Sequence, residues 1–239
     1  MSVRILAGAR WQEVFVSRTT VSSTVSAAII TAVLAATTAP AIAQTPNVPP
    51  KLAAMAAEQF QARAQIIDDH LETETVISTE GGFRHTRGLF KTPWNDNHLR
   101  AVIDKRTGAA RFEVRQTLKY PGSFRGYGEV NYQTSTWPVS APLIKVRDNA
   151  QNCALFEAGE VCFEEVTFAV DEAHLREIAQ RRVSGTPAPW AFKFKAGDAY
   201  EHRAAIVQAE IVGLLRAVDD YKRGLTHLDA MAAPSAQAG

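Results

Sequence analysis

The chain has 239 residues, 46% of them apolar, with Lys+Arg 26 against Asp+Glu 25 and a net charge of +1. That balance excludes the strong basic field of a protein built to hold nucleic acid or an anionic membrane. The length suits one domain with a sizeable core, or at most two small ones.

Arg4, Arg10 and Arg18 precede a short apolar run, Ala27 to Ala36. Pro40 breaks the run, and Ala41-Ile42-Ala43 supplies the small-x-small pattern cut by signal peptidase. Residues 1–43 are therefore expected to be a signal peptide, leaving Gln44 first in a periplasmic or secreted protein. The run is far shorter than the ~20 residues that span a bilayer as a helix. Nothing after it is longer and equally apolar, so no transmembrane segment is expected in the mature chain. Cleavage removes three arginines and Glu13, which shifts the net charge from +1 to −1.

Residues 44–50, QTPNVPP, read as a flexible linker. Leu52, Met55, Ala56, Phe60, Arg63, Ile67 and Leu71 then recur at three- and four-residue spacing, which predicts an amphipathic N-terminal helix. From Glu72 to Val170 the texture changes to short alternating runs. Phe112, Val114, Gln116 and Leu118 share one face, with Arg111, Glu113, Arg115 and Thr117 on the other, as in a half-buried antiparallel strand. The hairpin loop Asp104–Gly108 joins it to a partner carrying Leu99, Ala101 and Ile103. Further strands are expected at 73–79, 82–90, 126–134, 143–148, 152–157 and 160–170.

Cys153 and Cys162 are the two cysteines. In an oxidising compartment such a pair reads as one disulfide across a hairpin. A metal site would need histidines or further cysteines close by in sequence, and none lie there. Asp171 can cap a helix from Glu172 to about Arg182. Trp190, Phe192 and Phe194 mark one more strand. A long helix is expected from about Tyr200 to Lys222, striped by Ile211, Leu214, Leu215, Val218 and Tyr221, with Gly224 near its end. Residues 230–239 read as a disordered tail. The expected fold is α+β: one antiparallel β-rich domain over 51–229, a curved sheet or sandwich, with an N-terminal helix and C-terminal helices packed on it.

The chain lacks G-x-S-x-G, Ser-x-x-Lys, His-Glu-x-x-His and a P-loop. The densest mix of functional residue types is His85 to His98, HTRGLFKTPWNDNH. His85, Trp94, Asp96 and His98 form the candidate ligand-binding set, with Trp94 able to stack on a ligand from a loop. A polar hairpin loop is the plainer reading. Glu157, Glu160, Glu164 and Glu165 read as a solvated hairpin tip, Glu164 and Glu165 pointing to opposite faces. His174 and His202 read as exposed neutral imidazoles near helix starts. Tyr120, Phe124, Tyr127, Tyr132 and Trp137 read mainly as core.

These features point to an exported binding or envelope-interaction module without catalysis, which holds an envelope protein or glycan. No cofactor or resident metal is called for. The alternative is a metal- or His-dependent hydrolase built on His85, Asp96 and His98.

Overall fold

The computed structural model describes residues 48–83, 86–87, 92–93, 97–147, 153–156 and 159–232. The expected signal peptide, with its cleavage site, lies outside these residues. Two short helices, α1 (Pro50–Ala53) and α2 (Ala57–Arg63), lead into β1 (Gln65–Ile67), β2 (Glu74–Ser78) and two small strands, β3 (Thr86–Arg87) and β4 (Thr92–Pro93). Strands β5 (Asn97–Asp104), β6 (Ala110–Pro121), β7 (Glu129–Gln133), β8 (Pro138–Pro142), β9 (Ile144–Arg147), β10 (Cys153–Phe156) and β11 (Gly159–Val170) follow. After them come α3 (Glu172–Gln180), the tight hairpin β12 (Arg182–Val183) and β13 (Thr186–Pro187), the hairpin β14 (Trp190–Ala196) and β15 (Tyr200–Ile206), and α4 (Gln208–Ala232). The fold is α+β and mostly antiparallel sheet.

The larger sheet runs β1-β2-β5-β6-β11-β10, with β9 also paired to β11. The smaller runs β15-β14-β7-β8. Each strand alternates as its sequence dictates: Phe112, Val114, Leu118 and Tyr120 of β6 are buried, and in β11 so are Cys162, Val166, Phe168 and Val170. The two sheets meet face to face through aromatic rings. Phe168 of β11 touches Tyr132 of β7 (centroids 5.7 Å apart) and Phe192 of β14 (5.6 Å). Trp190 packs edge-on to Phe192 at 5.3 Å, so aromatic rings fill this half of the sandwich.

The other half of the larger sheet is covered by α4. Thr75, Ile77 and Thr79 face the helix: the Thr79 hydroxyl donates to Glu210 (2.6 Å), and the Thr75 and Tyr221 hydroxyls are 2.6 Å apart. Helix α2 crosses α4, and Phe60 is fully buried there. The crossing is close because Gly213 has no side chain. A Cβ there would stand 2.5 Å from the Phe60 Cβ and 2.8 Å from the Ala57 carbonyl oxygen.

The hairpin of β5 and β6, the disulfide and the capped helix α3 form where the sequence places them. Cys153 is the register partner of Cys162 and the two are bonded. The Asp171 side chain accepts from the Ala173 N–H at 2.9 Å. Two helices differ from expectation. The predicted N-terminal helix breaks at Ala54–Ala56, and residues 65–67 pair as a strand with β2. Residues 200–206, expected to begin the long helix, instead form β15, whose register with β14 pairs Trp190 with Ile206 and Phe194 with His202. The helix proper starts at Gln208 and continues through Gly224 to Ala232. Among the described residues no helix is long and apolar enough to cross a membrane.

The two α4 glycines should respond oppositely to alanine. Gly213→Ala should cost about 1–3 kcal/mol through the clash with α2. Gly224→Ala, with nothing within 4 Å of the new Cβ, should gain up to about 1 kcal/mol of helix propensity. Urea midpoints of the two variants against the parent check both signs.

Candidate functional site

The sandwich is apolar where Phe168 and Trp190 meet and polar at its opposite end. Following the inner face of β11 from Phe168, the alternation passes Val166 and reaches Glu164, which is only 3% exposed. A carboxylate withdrawn from water must be met by donors. Three are supplied: the Tyr120 hydroxyl donates to Oε1, the Gly126 N–H to Oε1 (3.1 Å) and the Tyr127 N–H to Oε2 (2.9 Å). Gly126 has φ +69, a left-handed conformation that turns two consecutive amides toward one carboxylate. Burial, reinforced by the bond to Glu164, pushes the Tyr120 phenol well above its ordinary range, which keeps it a donor. Its oxygen also accepts from the Arg125 N–H at 3.0 Å.

These bonds fix the segment 121–128, PGSFRGYG, which passes from β6 in one sheet to β7 in the other. Fixing the loop places the Arg125 side chain. Its guanidinium lies 4.3 Å from the Tyr120 ring centroid and 4.5 Å from that of Tyr200, so an aromatic ring flanks it on each of two strands. Its further polar contacts are long, 3.3 Å to the Tyr127 hydroxyl and 3.5 Å to the Pro121 carbonyl. Tyr200 is 46% exposed and Phe124 36%, and Lys145 Nζ stands 5.2 Å from the Phe124 ring centroid.

Tyr200 and His202 share the inner face of β15, so the smaller sheet contributes to the same end. The His202 ring stacks on Phe194 with centroids 6.3 Å apart. Burial first, then the Arg125 cation, lowers its pKa from 6.5 to about 4, and the imidazole is neutral at neutral pH. The disulfide is adjacent too, because Cys162 is the register partner of Tyr120.

The sequence-predicted site is placed only in part. His85, Trp94 and Asp96 lie outside the described residues. His98 sits on β5 opposite Arg115, on the sheet face that points away from Glu164. Burial lowers its pKa from 6.5 to about 4; Glu80 opposes this, and Arg115 and Arg100 add to it. Around it runs a charge ladder: Arg100 to Glu113 at 2.6 Å, Arg115 to Glu113 at 3.6 Å and Arg115 to Glu165 at 3.6 Å. Cys153, Cys162 and Glu160 cluster closely, but the two sulfurs are bonded to each other and neither is a thiolate that could hold a metal.

Glu164, read from sequence as part of a solvated tip, is a buried carboxyl group, and Glu165 beside it does face the other way. His174 is likewise not exposed. Its side chain is 10% exposed, with the ring 5.8 Å from that of Tyr132 and 5.6 Å from that of Trp190. The missed signal was available in both strands. Cys162-x-Glu164-x-Val166-x-Phe168 carries a carboxylate in an otherwise apolar series, and Tyr200, His202, Ala204 and Ile206 alternate in the same way. No protein-family model matches the chain, and no curated protein or solved structure matches it.

Truncating Glu164 leaves three donors without their acceptor. Glu164→Ala should cost about 2–4 kcal/mol of unfolding free energy, and Glu164→Gln, which keeps one acceptor oxygen, should cost less; chemical denaturation measures both. Acid should also act through the histidines. Their folded pKa of about 4 lies below the unfolded 6.5, so the unfolded chain binds the extra protons and stability falls as pH drops through that window. Melting temperatures between pH 7 and pH 5 should fall less for His202→Gln than for the parent.

Proposed function

We propose that the protein is exported to the periplasm, beginning there at Gln44, and works as a binding module whose ligand seats at the polar end of the sandwich. The observation that carries this reading is the convergence of Arg125, Phe124, Tyr200 and His202 there, from a loop and a strand of different sheets. Exposed aromatic rings around a half-buried arginine are the residue types that dominate recognition sites. The groups best suited to proton transfer have other duties. Glu164 accepts three bonds that hold the loop, and the Tyr120 hydroxyl is committed at both its donor and its acceptor. The site therefore holds a ligand without turning it over. Export is supported by Arg4, Arg10 and Arg18 ahead of the apolar run, by the Ala41-Ile42-Ala43 site, and by a cysteine pair joined as a disulfide. An envelope glycan or a peptide segment of an envelope protein is the partner.

The protein recovered from the periplasmic fraction of expressing bacteria should start at Gln44. Its thermal unfolding, followed with glycan fragments, short peptides, divalent metals and EDTA, should shift upward by several degrees with a glycan or peptide. A ligand at 100 times its Kd adds about 2.7 kcal/mol. Tyr200→Ala should melt near the parent temperature and lose the shift. Turnover of the ligand would overturn the reading. So would a metal-dependent shift abolished by His98→Ala, which would move function to the hydrolase built on His85, Asp96 and His98.

A further inference from the structure

We infer that the polar end of the sandwich is an oxyanion site, in which the edge of the Arg125 guanidinium takes a carboxylate or phosphate group of the ligand. The inference rests on the binding reading above and adds its chemistry. A half-buried guanidinium is ordinarily paired with a carboxylate, because a cation that has lost water needs a counter-charge. Arg125 forms no ion pair with any described carboxylate. Glu164 is the acid whose side chain bonds its loop, and both its oxygens are turned to Tyr120 and to the amides of Gly126 and Tyr127. Glu129 pairs with Lys195 at 3.6 Å and Glu201 with Lys193 at 2.6 Å, on the outer face of the smaller sheet.

The rings of Tyr120 and Tyr200, with centroids 4.3 Å and 4.5 Å from the guanidinium carbon, hold the cation against two strands without neutralising its charge. A counter-charge would meet its fork of N–H groups, by which arginine binds two oxygens of a carboxylate or phosphate at once. Among the described residues, only two weak acceptors, the Tyr127 hydroxyl and the Pro121 carbonyl, meet its five N–H donors. Phe124, the neighbour of Arg125 in the loop, and Tyr200 are both exposed and offer stacking surface to whatever carries the anion.

Matched pairs of probes test the charge separately from the scaffold. Calorimetric titration of the mature protein uses D-glucuronate against D-glucose, and glycerol 3-phosphate against glycerol. At least one anion should bind while its neutral counterpart does not. Glucuronate alone assigns the source to a glycan carboxylate, and glycerol 3-phosphate alone to a phosphate headgroup. Arg125→Lys keeps the charge but loses the fork, and should weaken binding by about tenfold or more; Arg125→Gln should abolish it. If either variant fails to fold, the Arg125 Nε–H resonance of the parent protein, followed by NMR during the same titration, gives the answer by shifting with the anion only. Absence of binding by both anions up to about 10 mM would overturn the inference. Equal binding of a neutral sugar, lost in Tyr200→Ala but kept in Arg125→Gln, would overturn it while leaving the binding-module reading in place.

Discussion

Burying one carboxylate constrains this fold more than any other single interaction. An ionised group placed in an apolar interior without partners costs far more than the whole stability of a domain. Glu164 therefore obliges its surroundings to bring donors. The phenol comes from the neighbouring strand and the two amides from the segment that crosses between sheets. The carboxyl group thereby helps fix the path of a loop rich in glycine, whose Tyr127 ring is seated in the core. Arg125, standing between the residues that serve Glu164, inherits its position from that arrangement.

The rest of the molecule divides the work of covering the larger sheet. Its β6 and β11 half is closed by the smaller sheet, through the ring contacts of Phe168 with Tyr132 and Phe192. Its β2 and β5 half is closed by α4, where hydroxyls of Thr75 and Thr79 meet Tyr221 and Glu210. Helix α2 packs so closely on α4 that the contact rests on a single missing side chain. The Asn97 side-chain amide donates to the Ala205 carbonyl at 3.2 Å, which ties the larger sheet to the smaller where β5 passes β15. One continuous core results, with the aromatic contacts toward α3 and the charged ones toward the loop between β6 and β7.

Most of the strands were legible because period-two burial is written directly into residues such as Phe112 to Leu118 and Val166 to Val170. The hairpin loop at Asp104–Gly108, the Asp171 cap and the cysteine pair depend on neighbours close in sequence, so local chemistry sufficed. The failures share a cause. The N-terminal helix breaks because Phe60 must seat against Gly213 and because Ile66 and Ile67 reach the open edge of β2, both contacts made with distant parts of the chain. Tyr200–Ile206 pairs with β14, although the helical stripe beyond it invited an earlier start. Of the candidate ligand residues, His98 proved to belong to a charge ladder on the opposite face. The site at Arg125 depends on which strand ends meet, and no spacing within one segment contains that.

The Glu164 cluster also has an evolutionary consequence. A carboxylate and its donors are worth little one at a time, since removing any of them strands the others in a dry interior. Drift at this end of the domain should therefore proceed in correlated steps. A lineage that replaced Glu164 with an apolar residue would be released from keeping a hydroxyl at Tyr120 and a glycine at Gly126, while one that kept Glu164 would be held to both. Descendants of this chain, however far their surfaces diverge, should sort into those that retain the whole cluster and those that have lost all of it.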